Sequence, residues 1–177
     1  MKNAGHYVVG DFKSHASFLG DDEYGRVLDS IVVACSDIIL VYNNQILIGM
    51  RTRDPQPNWW LIGGRMKPGE SFQVAASRNL KRELGLNLSP DRLKYLTTFS
   101  AVWARRHHPP TENGIHTISA VMFVNITEEE KRRIRINDEY ESIKWVDPSD
   151  LVRDDYYHGA LRQCASEIVR LLKSGSV

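Results

Sequence analysis

Cysteine is scarce in this chain. There are two, Cys35 and Cys164, and neither sits in a C-x-x-C pattern. Such spacing supports neither a disulfide framework nor a zinc site, and a reducing cytoplasm is the simplest compartment. An excess of either charge is also missing: 23 Lys and Arg face 22 Asp and Glu, a formal net charge of +1. Bulk electrostatics therefore gives no case for nucleic acid as a partner, although Arg105-Arg106 stands out as a local anion site. No apolar run approaches the roughly 20 residues of a membrane span, so no membrane partner is expected. Residues 1–10 hold too short an apolar core for a secretory signal. Internal repeats and low-complexity tracts are absent as well.

What remains is a globular balance, 42% hydrophobic and 25% charged in 177 residues. That length suits one domain with its own core. We expect an N-terminal extension over residues 1–30 and a domain over 31–177. In the extension, Asp21-Asp22-Glu23 ahead of Tyr24, Val27 and Leu28 predicts a short helix. Its small apolar face needs cover from its own domain or from a second copy, and a homodimer is expected. Residues 31–42, rich in Val and Ile, predict one strand or two; Asn43-Asn44 predicts a turn, and residues 45–50 the returning strand of a hairpin. Further strands are predicted at 59–62, 93–104, 115–126 and 143–146. Ser71 caps and Gly85 stops a helix, residues 127–133 suit a short polar one, and 159–173 form an amphipathic one. Strands alternating irregularly with two main helices give an α/β fold, a mixed sheet sandwiched between helices.

The chemistry concentrates in residues 63–86. Gly64 is followed after five residues by Glu70 and after seven more by Arg78, then by Leu80, Glu83, Gly85 and Leu86. This resembles the Nudix box: Gly, five residues, Glu, seven residues, Arg-Glu-apolar-any-Glu-Glu-any-Gly-apolar. Seven of its nine specified positions match. A loop–helix–loop of that kind presents carboxylates to divalent cations, which neutralise a diphosphate and its departing charge. Positions 79, 82 and 83 share one helical face. The resemblance would have Glu at all three, and here they are Asn79, Arg82 and Glu83. A cluster of two or three ions is therefore not expected. One Mg²⁺, with Mn²⁺ as a substitute, suits two carboxylates, a carbonyl and waters. The resemblance assigns that ion to Glu83, the Gly63 carbonyl and Glu139, which lies just before the strand holding Trp145-Val146. It also makes Arg78 and Glu70 the pair that steadies loop against helix.

Within that superfamily the chain is similar to the GDP-mannose mannosyl hydrolases, which share the degenerate box. Besides the box, the similarity is carried by Gly49-Met50-Arg51-Thr52, Trp60, Gly63-Gly64-Arg65, Val102-Trp103 and Trp145. It implies a Mg²⁺-dependent hydrolase of a nucleoside diphosphate linked to another moiety, of GDP-mannose type, with attack at the sugar carbon. Arg51, Arg65 and Arg78 fall on the arginines that bear the leaving diphosphate, and with Glu83 they form the implied catalytic set. Arg82, Trp103 and Tyr140 join Arg51 and Arg65 as implied substrate contacts. The subgroup's histidine base is replaced by Tyr140, and tyrosine is a poor base near neutral pH. Glu139, His107 and His108 remain as proton acceptors. Trp59, Trp60 and Trp145 fit a core better than a base-stacking platform. The departures at Asn79, Arg82 and Tyr140 leave a second function open: a Nudix module that binds a nucleotide as sensor or regulator, with little or no turnover.

Overall fold

The Val- and Ile-rich segments build the sheet. In the computed structural model, which describes residues 5–175, strand β1 (Val33–Tyr42) runs parallel to β6 (Ile115–Asn125). Strand β5 (Lys94–Trp103) pairs antiparallel with β6 at the outer edge. On the other side β2 (Gln45–Arg51) follows β1 through a two-residue turn. Asn43 and Asn44 hold φ of 47° and 62° there, left-handed values that such a hairpin requires and asparagine tolerates. Strands β3 (Trp59–Trp60) and β7 (Tyr140–Val146) both pair antiparallel with β2, and β4 (Ile62–Arg65) pairs antiparallel with β1. The result is one mixed seven-stranded sheet.

Alternation along β1 sends Ile38 and Leu40 to one face of the sheet and Ile39 and Val41 to the other. The first face is covered by α2 (Phe72–Leu84) through Ala76, Leu80 and Leu84. The second is covered by α5 (Gly159–Lys173) through Leu161, Cys164, Ala165 and Ile168. The expected helix–sheet–helix sandwich is what forms. Helix α2 begins where Ser71 accepts a bond from the Val74 N–H at 3.2 Å, and it ends at Gly85 with φ 68°. Both ends matter for function, because they fix which residues of α2 face the strand β4 beside it.

Three details differ from the sequence expectation. The single strand at 59–62 is two strands, because β3 pairs with β2 while β4 crosses to β1. Strand β7 starts at Tyr140, three residues earlier than expected. The short polar helix forms as α3 (Glu128–Arg132), but α4 (Pro148–Arg153) was not expected; its Asp147 cap and first-turn proline are present, yet its six residues are too few to show a period. The short helix α1 (Asp21–Leu28) lies against its own domain. Leu28 is buried with Val33, Cys35 and Ile115, and Tyr24 packs on that cluster. The apolar face offered as a reason for a homodimer is thus covered by the same chain. The outermost residues of the two expected segments, 1–4 and 176–177, lie outside the described residues. Among the described residues no helix is long and apolar enough to cross a membrane.

Candidate active site

The box ties a loop to a helix. Arg78 grips Glu70 with both prongs of its fork, Nε to Oε1 at 2.6 Å and Nη2 to Oε2 at 2.7 Å. Its other bonds go to the Asn79 side-chain oxygen at 2.8 Å and the Arg65 carbonyl at 3.0 Å. The arginine holds the Glu70 carboxyl below its ordinary range. The steadying role implied for this pair is therefore visible as geometry. Four of the five Arg78 N–H donors are engaged within the protein, and the side chain also lines the cleft above the box. Next to this clamp, Gly63 holds φ 140°, and a Cβ there would stand 2.5 Å from the Asp37 Cα. Only glycine fits so close an approach.

Asn79, Arg82 and Glu83 share one face of α2, as their spacing requires. Asn79 is buried and donates to the carbonyls of Ser36 and Gly64 at 3.3 and 3.1 Å. Glu83 is fully buried. Its Oε2 accepts from the Gly63 N–H at 2.9 Å and from the Tyr140 hydroxyl at 2.6 Å. Its Oε1 accepts from Arg82, whose Nη1 also donates to Glu139 Oε1 at 2.7 Å. A guanidinium thus stands between the two carboxylates. Burial raises the Glu83 carboxyl above its ordinary value, against the opposing influence of Tyr140, Arg82 and Gly63. Tyr140 is 5% exposed, and burial together with the Glu83 charge pushes its hydroxyl well above the usual tyrosine range. It therefore keeps its proton and acts as a donor from beneath the site. Its hydroxyl is turned to Glu83 instead of to the cleft, where the resemblance would have it meet substrate.

Above the box opens a cleft of about 800 Å³. Arg51, Arg53, Arg65, Lys67, Arg78 and Arg82 line it, together with Asp37, Asp54 and Glu139. The Arg51 Nε is the one buried side-chain nitrogen or oxygen without a partner among the described residues. Trp60 and Trp103 supply an apolar wall, their rings edge to face at 5.4 Å. The Trp103 indole N–H donates to the Thr117 hydroxyl at 3.2 Å, and His158 packs against both rings at 5.2 Å. Arg51, Arg65, Arg82, Trp103 and Glu139 are therefore brought to one place, as the sequence suggested, and His107 and His108 join them.

Sequence reasoning missed Arg53 and Lys67 as lining residues, and also Asp37 and Tyr24. Asp37 lies on the cleft floor, and burial pushes its carboxyl up to about 7 against a bond from Ser119 and the charge of Arg51. A lone acid inside an apolar strand was the available signal. Tyr24 reaches the cleft from α1: its hydroxyl accepts from Arg65 Nη1 at 2.5 Å, and its ring lies 4.9 Å from the Arg65 guanidinium carbon. Nothing in the local pattern of α1 announces that contact. Arg106 is corrected in the opposite sense. It is 1% exposed and donates to Asp29 at 2.6 Å and to the carbonyls of Gly25, His108 and Gly114. It pins α1 to the 105–114 loop and is no surface anion site.

The model of the NUDIX domain family matches residues 34–167. The chain belongs to the Nudix family. Nucleoside triphosphatase NudI of Escherichia fergusonii is 31% identical to it over 97 residues, 55% of this chain and 67% of that protein. A MutT NUDIX hydrolase from Burkholderia pseudomallei is similar in structure with a TM-score of 0.62 at 23% identity, covering 78% of this chain and 98% of that one. The dihydroneopterin triphosphate pyrophosphohydrolase of E. coli gives 0.60 at 16% identity, covering 80% and 99%. The two structural likenesses show the fold. None of the three is a nucleotide-sugar hydrolase by name, so what is established is the family and not the mannosyl hydrolase subgroup.

Nudix hydrolases generally use divalent metal cations. The donor set of this Nudix domain does not fit one. Among the described residues no three His, Cys, Asp or Glu side chains are grouped so as to hold a metal ion. Glu83 and Glu139, expected to share an ion, share Arg82 instead. Gly63 meets Glu83 through its amide N–H. The expected metal set of Gly63, Glu83 and Glu139 is corrected accordingly: the carboxylates do converge, but around a guanidinium.

Proposed function

We propose that this Nudix domain takes the diphosphate of a nucleotide and hydrolyses a nucleoside diphosphate linked to another group, of GDP-mannose type. One observation carries the reading, the cationic wall of the cleft formed by Arg51, Arg53, Arg65, Lys67 and Arg82. Arginine meets phosphate oxygens in a planar, two-pronged grip, and the unpartnered Nε of Arg51 is a donor with that habit. A cleft of about 800 Å³ is of the size that small-molecule sites have. Trp103, held edge to face against the buried Trp60, offers an apolar surface to a base or sugar. Arg51 and Arg65 would stabilise charge developing on a departing diphosphate.

The attacking water needs a proton acceptor. Asp37 suits the task, since a carboxyl that titrates at about 7 is poised near neutral pH. His108 is a second acceptor; burial and the Arg65 charge lower its pKa, which favours the neutral ring. Such a base contributes about 10² to 10⁴-fold. A second reading, a nucleotide-binding module with little turnover, draws on the Arg82 bridge between Glu83 and Glu139.

The test is hydrolysis of GDP-mannose, other nucleotide sugars, dinucleotides and nucleoside triphosphates in isotopically labelled water, with products identified. Label in the free sugar supports attack at carbon. Label in a phosphate product replaces that reading with pyrophosphatase chemistry. Nucleotide binding without any product leaves the binding module as the better account.

A further inference from the structure

We infer that Arg82 is a resident cation: its guanidinium takes the place between Glu83 and Glu139 that a divalent ion would need, and the cleft holds a diphosphate without metal. The inference rests on the reading of the cleft as a diphosphate site. Its structural basis is separate from that reading. Glu83 has no contact with water, and both of its oxygens already accept bonds, one of them from Arg82. Glu139 is tied to the same guanidinium at 2.7 Å. A carboxylate offers about four lone-pair sites, and those of Glu83 already receive three donors, from Gly63, Tyr140 and Arg82. A hard ion at that point would have to break two charge-assisted bonds and then sit beside the guanidinium it displaced.

The surroundings are shaped for the arginine. Position 64 lies directly beside the pair: a Cβ there would be in van der Waals contact with Arg82 Nη2 at 3.4 Å and Glu83 Oε1 at 3.9 Å. Asn79, at the other position where the resemblance would have Glu, adds no charge and turns its amide to the carbonyls of Ser36 and Gly64. Two of the five Arg82 N–H donors are used, by Glu83 and Glu139. The side chain is 48% exposed on the cleft wall, which leaves donors for a ligand oxygen. The carboxylates fix its orientation beforehand, so ordering the guanidinium on binding costs little. One positive charge does not neutralise a diphosphate, and Arg51, Arg65 and Lys67 line the same cleft.

The experiment has two arms on the metal-stripped protein. In the first, Mn²⁺ is added and the free ion is followed by electron paramagnetic resonance. The wild type is expected to take up none, whereas Arg82→Ala, with two carboxylates left facing each other, is expected to bind one ion. In the second, inorganic pyrophosphate is titrated by calorimetry in EDTA and again in Mg²⁺. The wild type is expected to bind pyrophosphate in EDTA with no requirement for Mg²⁺, and Arg82→Ala in EDTA to bind about tenfold more weakly, the loss of one charge-assisted bond. Stoichiometric Mn²⁺ on the wild type, or pyrophosphate binding that vanishes in EDTA, overturns the inference. Both wild-type measurements stand even if the variant fails to fold, and Arg82→Gln then serves in its place. Pyrophosphate that binds under neither condition refutes the diphosphate reading of the cleft, while the Mn²⁺ arm still decides the role of Arg82.

Discussion

Helix α2 carries two arginine–carboxylate clusters on adjacent turns, Arg78 with Glu70 and Arg82 with Glu83 and Glu139. In the first, one arginine holds one carboxylate by two parallel bonds, and the carboxyl is pulled below its ordinary value by that partner. In the second, one arginine is divided between two carboxylates, and the buried one is raised because desolvation outweighs what Arg82, Tyr140 and Gly63 return. Asp37, close by on β1, has no arginine hydrogen bond and is raised further, to about 7. The difference is instructive about identical chemistry in unlike surroundings. A two-pronged pair at the edge of the core, with only a minor part of either side chain open to water, is a structural clamp. A buried carboxylate with a divided partner is a site held ready for something else, because its charge is only partly compensated.

The comparison can be broken in several ways. The largest effect is expected at Asp37. A carboxyl raised in the folded state favours folding fully below its unfolded value, and that contribution is lost as pH rises through the folded value. Wild-type stability should therefore fall between about pH 4 and pH 7, by up to about 4 kcal/mol. Asp37→Asn should flatten that fall in urea unfolding measured across the range; an unchanged slope would mean that Asp37 is not the buried acid described. Glu70 runs the other way: its lowered value supports the fold above its unfolded range and is lost in acid. Arg78→Ala should remove that acid-side loss and cost about 3 kcal/mol at pH 7, since it strands Glu70 and two further acceptors.

Tyr140→Phe comes next. It removes a donor from a carboxylate with no access to water, for about 2 kcal/mol, read as a lower urea midpoint at an unchanged denaturant slope. The smallest effect is expected for Arg82→Ala, about 1 kcal/mol, because the side chain is 48% exposed and Glu83 keeps Tyr140 and Gly63. If Arg82→Ala proved more damaging than Arg78→Ala, the clamp and the held site would have been assigned to the wrong arginines.

Several parts of this Nudix domain were written locally and could be read so. Ser71 and Gly85 set the ends of α2, Asn43-Asn44 set the hairpin, and the Gly64–Glu70–Arg78 spacing set the clamp, because each depends on residues within one turn or loop of one another. That Asn79, Arg82 and Glu83 share a face follows from helical period alone. What local pattern did not carry was what these faces meet. Glu139 enters from the residue before β7, Tyr140 from β7 itself, Asp37 from β1 and Tyr24 from α1. Sequence fixed which residues could be charged, and the spacing of the box fixed where on the helix they stood. Only the tertiary structure decided that Arg82 falls between Glu83 and Glu139, that Tyr140 turns inward and that Asp37 is desolvated. Burial and the direction of a charged group are properties of segments far apart in the chain, and they exist only once the sheet has brought those segments together.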